Sequence, residues 1–229
     1  MAKRIYIDPG HSNVDPGAVG YAIERDLNEK TAKFMNEYLQ ATYVCETKVD
    51  PITNNSLSAI TNAANAWKAD LLVSIHNNAG GGDGYEALVY SEKRRALGQI
   101  FEKHVKALGQ NSRGVKLRPG LAVLKNSNMP AVLNEGAFVD TKKDIQDWDE
   151  DYELKKLGIA YAEAAAEYLG LEKKVAEPAP APVPAPVEPE KQYIYRVQVG
   201  AYSQKPNAEN MLKQLQAAGF GGIIVKSEK

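Results

Sequence analysis

Residues 71–78 are Leu-Leu-Val-Ser-Ile-His-Asn-Asn, and this stretch decides the fold because a short apolar strand in it ends on a histidine. Such a run is typical of strands that are buried on both faces of an α/β sheet. A second run, Ile-Tyr-Ile-Asp-Pro-Gly-His at residues 5–11, repeats the pattern near the start of the chain. Residues just beyond the carboxyl ends of such strands line the crevice where ligands bind, so both histidines are candidate site residues.

Strand-like and helix-like segments alternate around these two runs, which predicts one α/β domain over residues 1–172. Further strands are predicted at residues 43–49, 86–90, 122–124 and 131–134. Helices are predicted at residues 28–40, 57–67, 97–108 and 152–169, where apolar residues recur at helical spacing.

The overall composition is that of an ordinary globular protein. The formal net charge is −1 over 229 residues, which gives no support to binding of nucleic acid or an anionic membrane. The single cysteine, Cys45, excludes an intrachain disulfide and a site built from several thiolates. The first four residues lead directly into a strand without the apolar core of a signal peptide, so we expect synthesis in the cytoplasm as a soluble protein.

A proline-rich stretch divides the chain. Prolines alternate with other residues over 177–189, which favours an extended polyproline II spacer of roughly 40 Å within a Pro/Ala-rich linker at 173–191. Residues 192–229 then resume a β-α-β pattern, with strands predicted at 193–199 and 223–226 and a helix at 207–218. This segment is too small to bury a good core alone.

Two acids occupy positions comparable to those of His11 and His76. Glu24 opens a helix-like run after a glycine-containing loop, and Glu135 follows the apolar run at residues 131–134. A buried carboxylate at a strand end is costly unless a cation or a function compensates. Two imidazoles and one carboxylate form a catalytic zinc set with an open position for water, and a second carboxylate can take the proton of that water.

Four collinear segments carry a resemblance to a known family: Ile-Asp-Pro-Gly-His at 7–11, Glu-Arg-Asp-Leu-Asn at 24–28, Leu-Val-Ser-Ile-His-Asn-Asn-Ala at 72–79 and Met-Pro-Ala-Val-Leu-Asn-Glu-Gly-Ala-Phe at 129–138. Over about residues 3–170 the sequence resembles the zinc-dependent N-acetylmuramoyl-L-alanine amidases of phage endolysins and bacterial autolysins. The Arg-Gly-Val-Lys stretch at 113–116 also fits that family.

The resemblance implies a twisted, mostly parallel but mixed sheet with helices on both faces. It implies that His11, Glu24 and His76 hold a zinc ion and that Glu135 is the general base. The substrate implied is peptidoglycan, cleaved at the amide between N-acetylmuramic acid and L-alanine. Asn78 and the loop at 80–84 would then border the substrate groove, although a mobile connection is the other interpretation of that loop. His104, in a polar helix, is predicted to be dispensable.

The last segment, Tyr-Arg-Val-Gln-Val-Gly-Ala-Tyr-Ser at 195–203 with the helix that follows, resembles the first half of a SPOR domain. That module binds glycan strands without stem peptides, so wall targeting is expected. The missing half implies either a truncated module or two copies that associate into a dimer.

Two other hypotheses remain open. One is a zinc peptidase that cuts within the stem peptide, and the other is a non-catalytic wall-binding protein of the same fold. A wall enzyme without a signal peptide is expected to act after release, either from a phage-infected cell or from a lysing mother cell.

Overall fold

The computed structural model describes residues 2–53, 56–175 and 197–226. The chain divides into two compact units, Met1–Ala176 and Glu177–Lys229, each considered separately below. Most of the predicted linker, including the proposed polyproline II stretch, lies outside the described residues. The domain boundaries set at residues 172 and 191 therefore stay predictions.

The first unit alternates strands and helices, as the sequence predicts. Its strands are β1 (Lys3–Pro9), β2 (Cys45–Val49), β3 (Leu71–Asn78), β4 (Tyr85–Val89), β5 (Ser112–Leu117) and β6 (Ala131–Phe138). Its α-helices are α1 (Glu24–Thr42), α2 (Leu57–Ala66), α3 (Arg95–Lys106), α4 (Ala122–Lys125), α5 (Lys142–Ile145) and α6 (Asp151–Leu169), and a short 3-10 turn (Glu92–Arg94) precedes α3.

The six strands form one sheet in the order β2-β1-β3-β6-β4-β5. The neighbours from β2 to β6 pair in parallel, whereas β4 runs antiparallel to β6 and parallel to β5. The predicted twisted, mixed sheet is therefore confirmed. Its topology brings the carboxyl ends of β1, β3 and β6 to one edge, which is where ligands bind in sheets of this kind.

Helices cover both faces of the sheet, but not to the same extent. On one face, Ile5, Val73 and Val132 pack with residues of α1, α3 and α6 in the larger core cluster. On the other face, Tyr6 and Leu72 pack with a smaller cluster from the short helices α2 and α4. Because side chains alternate along a strand, His76 on β3 and Glu135 on β6 also lie on this second face.

Three details differ from the sequence prediction. Residues 122–124 form α4 rather than a strand, because Val123 and Leu124 pack into the second core cluster after a turn at Arg118–Leu121. Strand β5 and helix α5 were not predicted, since neither has a regular apolar pattern. Leu57, the first apolar residue of the helix predicted at 57–67, is 58% exposed instead of packing with the other apolar residues of that helix.

The second unit contains helix α7 (Lys205–Ala217), close to the predicted helix. Residues 197–199 and 223–226 have no strand hydrogen bonding, and residues 193–196 lie outside the described part. Strands are stable only when they pair, and Val197 and Ile223 are 91% and 81% exposed here. Across the described ranges of both units, no helix is long and apolar enough to cross a membrane.

Candidate active site

His11, Glu24 and His76 converge at the carboxyl ends of β1 and β3. Each offers one ligand atom, and these atoms lie within 4.8 Å of one another. The two carboxylate oxygens of Glu24 face different rings, with Oε2 3.0 Å from Nε2 of His11 and Oε1 2.9 Å from Nδ1 of His76. The imidazole rings meet edge to face, with centroids 5.1 Å apart. Residues far apart in the sequence thus form one compact group, the His11–Glu24–His76 group.

Different elements hold the members of this group. His76 lies on β3, and Glu24 is the first residue of α1, where it is only 4% exposed. His11 follows β1 with a φ of 73°, a left-handed conformation that costs a non-glycine residue roughly 1–2 kcal/mol. Strain of this kind persists only where the surroundings impose it, and it concentrates at functional sites.

Two glycines give the group its space. A Cβ atom at Gly10 would lie 2.2 Å from the His76 ring. A Cβ atom at Gly17 would lie 2.5 Å from His11 and 2.7 Å from the Glu24 carboxylate, and the φ of Gly17 is +69°. Any larger residue at either position would therefore displace a member of the group.

The Glu24 carboxylate is strongly stabilised in its charged form. Backbone amides of Ala18 and Asn77 donate to its two oxygens at 3.0 and 3.1 Å, in addition to the histidine contacts. Burial raises the pKa of Glu24, but the hydrogen bonds from His11 and His76 outweigh it, so this pKa lies well below its usual range. The hydrogen bond to Glu24 raises the pKa of His11 to about 9. Burial lowers the pKa of His76, yet the bond to Glu24 leaves it above the usual value.

Glu135 lies on β6 directly beside His76 in the parallel register of β3 and β6. Its Oε2 atom is buried and, among the described residues, has no hydrogen-bond partner. Burial raises the pKa of Glu135 to about 7. A buried carboxylate oxygen without a hydrogen-bond partner costs free energy. Its position beside three convergent metal-ligating side chains therefore indicates a missing partner, such as water or a ligand.

An amide network that the sequence analysis did not predict supports the group. The buried Asn28 side chain donates to the carbonyl of Gly10 at 3.2 Å and accepts from Nδ2 of Asn77 at 2.9 Å. Oδ1 of Asn77 accepts from the amide of Ala137, so the network joins α1, the β1 exit, β3 and β6. Asn28 lies four residues after Glu24, which places both on one face of α1, and that spacing was the available signal.

Asp15 is a second residue that the sequence analysis missed. Its Oδ2 lies 3.0 Å from Nδ1 of His11, and its Oδ1 accepts from the amide of Gly17 at 3.0 Å. Carboxylates that hold the second ring nitrogen of a ligating histidine fix its tautomer and orientation. Its signal was weak, since only its position four residues after His11 sets it apart from other exposed acids.

The predicted groove residues lie beside the group rather than in it. Asn78 ends β3, half-buried, and its Oδ1 accepts from the amide of Ala79. Asp140 accepts hydrogen bonds from the amides of Gly80 and Gly81, and Asp144 accepts from the amide of Gly84. The loop at 80–84 is therefore fastened at both ends, which disfavours the interpretation as a mobile connection.

The donor set matches a divalent transition metal. Two imidazole nitrogens and one carboxylate are the ligand types of catalytic zinc sites, which keep one position open. The buried unpaired oxygen of Glu135 is the group that such a site requires next to its open position. The residues present thus fit a metal ion together with an adjacent acid–base residue.

Comparisons with known proteins identify the relatives of this chain. The family model Amidase_3, described as N-acetylmuramoyl-L-alanine amidase, matches residues 5–167, and the SPOR domain model matches residues 159–226. The chain is 31% identical to the sporulation-specific N-acetylmuramoyl-L-alanine amidase of Bacillus subtilis, over 97% of this chain and 84% of that relative. It is 35% identical to the endolysin of Bacillus phage SPP1, over 76% of this chain and 69% of the endolysin.

Solved structures of N-acetylmuramoyl-L-alanine amidases share the fold. The catalytic domain of the N-acetylmuramoyl-L-alanine amidase CwlV from Bacillus (Paenibacillus) polymyxa var. colistinus superposes with a TM-score of 0.70 and 26% identity, covering 74% of this chain and 99% of that domain. The family match includes all six strands, apart from the first two residues of β1, and every residue of the His11–Glu24–His76 group. The chain therefore belongs to the N-acetylmuramoyl-L-alanine amidase family.

Proposed function

We propose that this protein is a zinc-dependent hydrolase that cleaves peptidoglycan at the amide between N-acetylmuramic acid and L-alanine. The observation that carries the proposal is the convergence of His11, Glu24 and His76 next to Glu135, whose buried Oε2 atom has no hydrogen-bond partner among the described residues. Membership of the amidase family supports the choice of scissile bond, because the family's description names that bond.

His11, Glu24 and His76 would hold the zinc ion. When bound at such a site, zinc acts as a Lewis acid towards a carbonyl and makes water a better nucleophile at neutral pH. Asp15 keeps the Nδ1 side of His11 occupied, which directs Nε2 of that ring towards Glu24. Asn28 and Asn77 fix the β1 exit and β3 relative to α1, so the three donors keep their spacing.

Glu135 would act as the general base and then as the general acid. Its carboxylate takes a proton from the attacking water and passes it to the nitrogen of L-alanine as the amide bond breaks. A pKa of about 7 suits both steps, because the group is partly ionised near neutral pH and can accept or donate. Asn78, at the end of β3 next to this centre, is the proposed contact to substrate outside it.

The C-terminal segment is proposed to bind the cell wall, as its SPOR match supports. Two copies of this segment could associate, which makes a dimer part of the proposal. Action after release into the wall, during phage lysis or mother-cell lysis, is in keeping with relatives described as an endolysin and as a sporulation-specific amidase.

Digestion of purified peptidoglycan by the full chain tests the proposal. Labelling of newly formed amino groups followed by mass spectrometry should give free amino termini on L-alanine, and a chelator should abolish their formation until zinc is restored. New termini on D-amino acids would instead show a peptidase that cuts within the stem peptide. An unchanged digestion rate after complete removal of metal would refute zinc dependence.

A further inference from the structure

Two basic side chains lie on the strand pair next to Glu135 and are assigned no role by the proposed reaction. Arg113 donates through Nε, and Lys116 through Nζ, to the same oxygen of Glu86. Glu86 is 5% exposed and is the antiparallel partner of Glu135 in the β4–β6 ladder. The cluster of Glu86, Arg113 and Lys116, here called the basic cluster, is therefore adjacent to the proposed general base.

An irregularity in β5 brings the two cations together. Arg113 and Lys116 are three residues apart, so in a regular strand their side chains would point to opposite faces. The register between β4 and β5 shifts opposite Glu86, and Gly114 adopts a φ of +86° at that point. Bulges of this kind re-aim side chains and are frequent next to active sites. Here the bulge directs both cations to one carboxylate.

The charges of the basic cluster do not balance. One buried carboxylate faces two cations, which leaves one positive charge in excess. The side chains of Arg113 and Lys116 remain 41% and 31% exposed, whereas that of Glu86 is only 6% exposed. A pair that only fastened the edge strand would need a single cation. The second cation and the exposure of both are features of a surface that receives an anion.

The shape of the surroundings favours a carboxylate as that anion. The guanidinium of Arg113 lies over the ring of Phe138, 5.2 Å from its centroid, which limits the rotation of the guanidinium group. Its bond to Glu86 uses one of its five N–H groups, and planar guanidinium groups favour paired contacts with carboxylates. Lys116 adds a compact charge beside it.

The distance between Glu135 and the basic cluster also suits the length of a stem-peptide residue. Glu135 lies between His76 and Glu86 in the sheet, because it is the register partner of both. Directly opposed residues of an antiparallel ladder have Cβ atoms about 5 Å apart, which gives the separation of Glu86 from Glu135. One residue of an extended peptide spans about 3.5 Å. A stem peptide with its L-alanine amide at Glu135 would thus bring its next residue to the basic cluster.

We propose that Arg113 and Lys116 form a subsite for the free α-carboxylate of the acidic residue that follows L-alanine in the stem peptide. The inference rests on the proposed function, since that function sets the position of the scissile amide. Glu86 is a positioning residue that holds both cations towards the groove. Amidation of that carboxylate, which removes its charge, would weaken recognition.

Binding measurements with the full chain test the subsite. In a Glu135→Gln background that slows turnover, calorimetry would compare two muramyl tripeptides that differ only in whether this carboxylate is free or amidated. We expect the free acid to bind about 10- to 100-fold more tightly, the range of hydrogen bonds to charged groups. Adding Arg113→Gln or Lys116→Gln should reduce the ratio to below about threefold. Two separate variants keep the test decisive if one fails to fold.

Arg4→Gln is the matched control, because Arg4 also donates through Nε to a glutamate. Arg4 lies near the start of β1, at the end of the strand that is away from the proposed site. It should leave the ratio unchanged. Equal binding of the two tripeptides, or a preference that survives both basic-cluster variants, would overturn the subsite. Cleavage of the same tripeptides by the unmodified protein is measured separately. Failure there would refute the proposed function, while the binding ratio would still decide the subsite.

Discussion

Among the histidine–glutamate contacts of the first unit, two of nearly equal length lie in different places, one in the His11–Glu24–His76 group and the other between α3 and α6. His76 lies 2.9 Å from Glu24, and His104 lies 2.8 Å from Glu167. The two histidine side chains are equally exposed, at 21% and 22%. The acids differ, because the side chain of Glu24 is 6% exposed and that of Glu167 is 40% exposed. The acid, rather than the histidine, distinguishes the two contacts.

The partners of each acid explain the difference. Glu24 is approached by two imidazoles and two backbone amides. Glu167 is already neutralised by Lys103, which donates to both of its oxygens. A cavity of about 280 Å³ even lies beside His104, but no group of three metal-ligating residues was found there within the described ranges. The candidate site is distinguished by two histidines that converge on one buried acid. Neither a short histidine–acid distance nor a cavity distinguishes it.

The largest effect is expected from removal of one ligand. His76→Ala should abolish zinc binding and reduce amidase activity to the limit of detection, because two donors hold the ion far less tightly than three. Metal content by atomic absorption and release of L-alanine amino termini from peptidoglycan would be measured together. One zinc per chain in the purified variant would remove His76 from the ligand set.

Removal of the proposed base should separate chemistry from metal binding. Glu135→Gln is nearly isosteric and should keep the metal, while turnover falls about 10²- to 10⁴-fold, as is typical for loss of a general acid–base group. Loss of turnover with normal zinc content would identify Glu135 as the acid–base residue, whereas His76→Ala should lose both zinc and turnover. Full activity in Glu135→Gln would contradict the assignment of this residue as the base.

A smaller effect on zinc binding is expected when a side chain fills the space beside the His11–Glu24–His76 group. Gly17→Ala introduces a Cβ within 2.7 Å of both His11 and Glu24, so we expect zinc affinity to fall about 10- to 100-fold, as when ligand orientation is perturbed. Competition with a chromogenic chelator would measure this affinity.

Gly81→Ala is the control for backbone strain. Gly81 has a φ of +71°, close to the +69° of Gly17, but no atom lies within 4 Å of its Cβ position. Both variants carry the cost of a left-handed alanine, roughly 1–2 kcal/mol, but only Gly17→Ala crowds the ligands. Equal zinc affinities for the two variants would show that crowding at Gly17 is unimportant.

The same contrast shows what the sequence could and could not predict. Local sequence patterns alone predict the candidate site residues, because His11, His76 and Glu135 follow apolar runs and Glu24 opens a helix. Their convergence also follows from topology, because parallel strands end at one edge of the sheet. Asn77 lies in one of the segments that carry the family resemblance, yet its bond to Asn28 depends on how α1 packs against β3, which no local pattern encodes.

The errors in the fold have a similar origin. The apolar residues at 122–124 are too few to show a period, and only their packing against α2 decides that they form a helix. Strand β5 contains a bulge and two exposed cations, so it lacks the alternation that predicts a strand. The strands expected after residue 192 depend on partners, and pairing cannot be predicted from one short segment.

The smallest effect is expected at the second histidine–glutamate contact. His104→Gln removes the bond to Glu167, but Lys103 still neutralises that acid, and exposed ion pairs contribute only about 0–1 kcal/mol. Amidase activity and zinc content should stay within twofold of the unmodified protein, and the midpoint of urea unfolding should barely move. A tenfold loss of activity with normal zinc content would mean that the contact at α3 and α6 communicates with the reaction centre. Burial of the acid would then no longer be enough to tell a site from a surface pair.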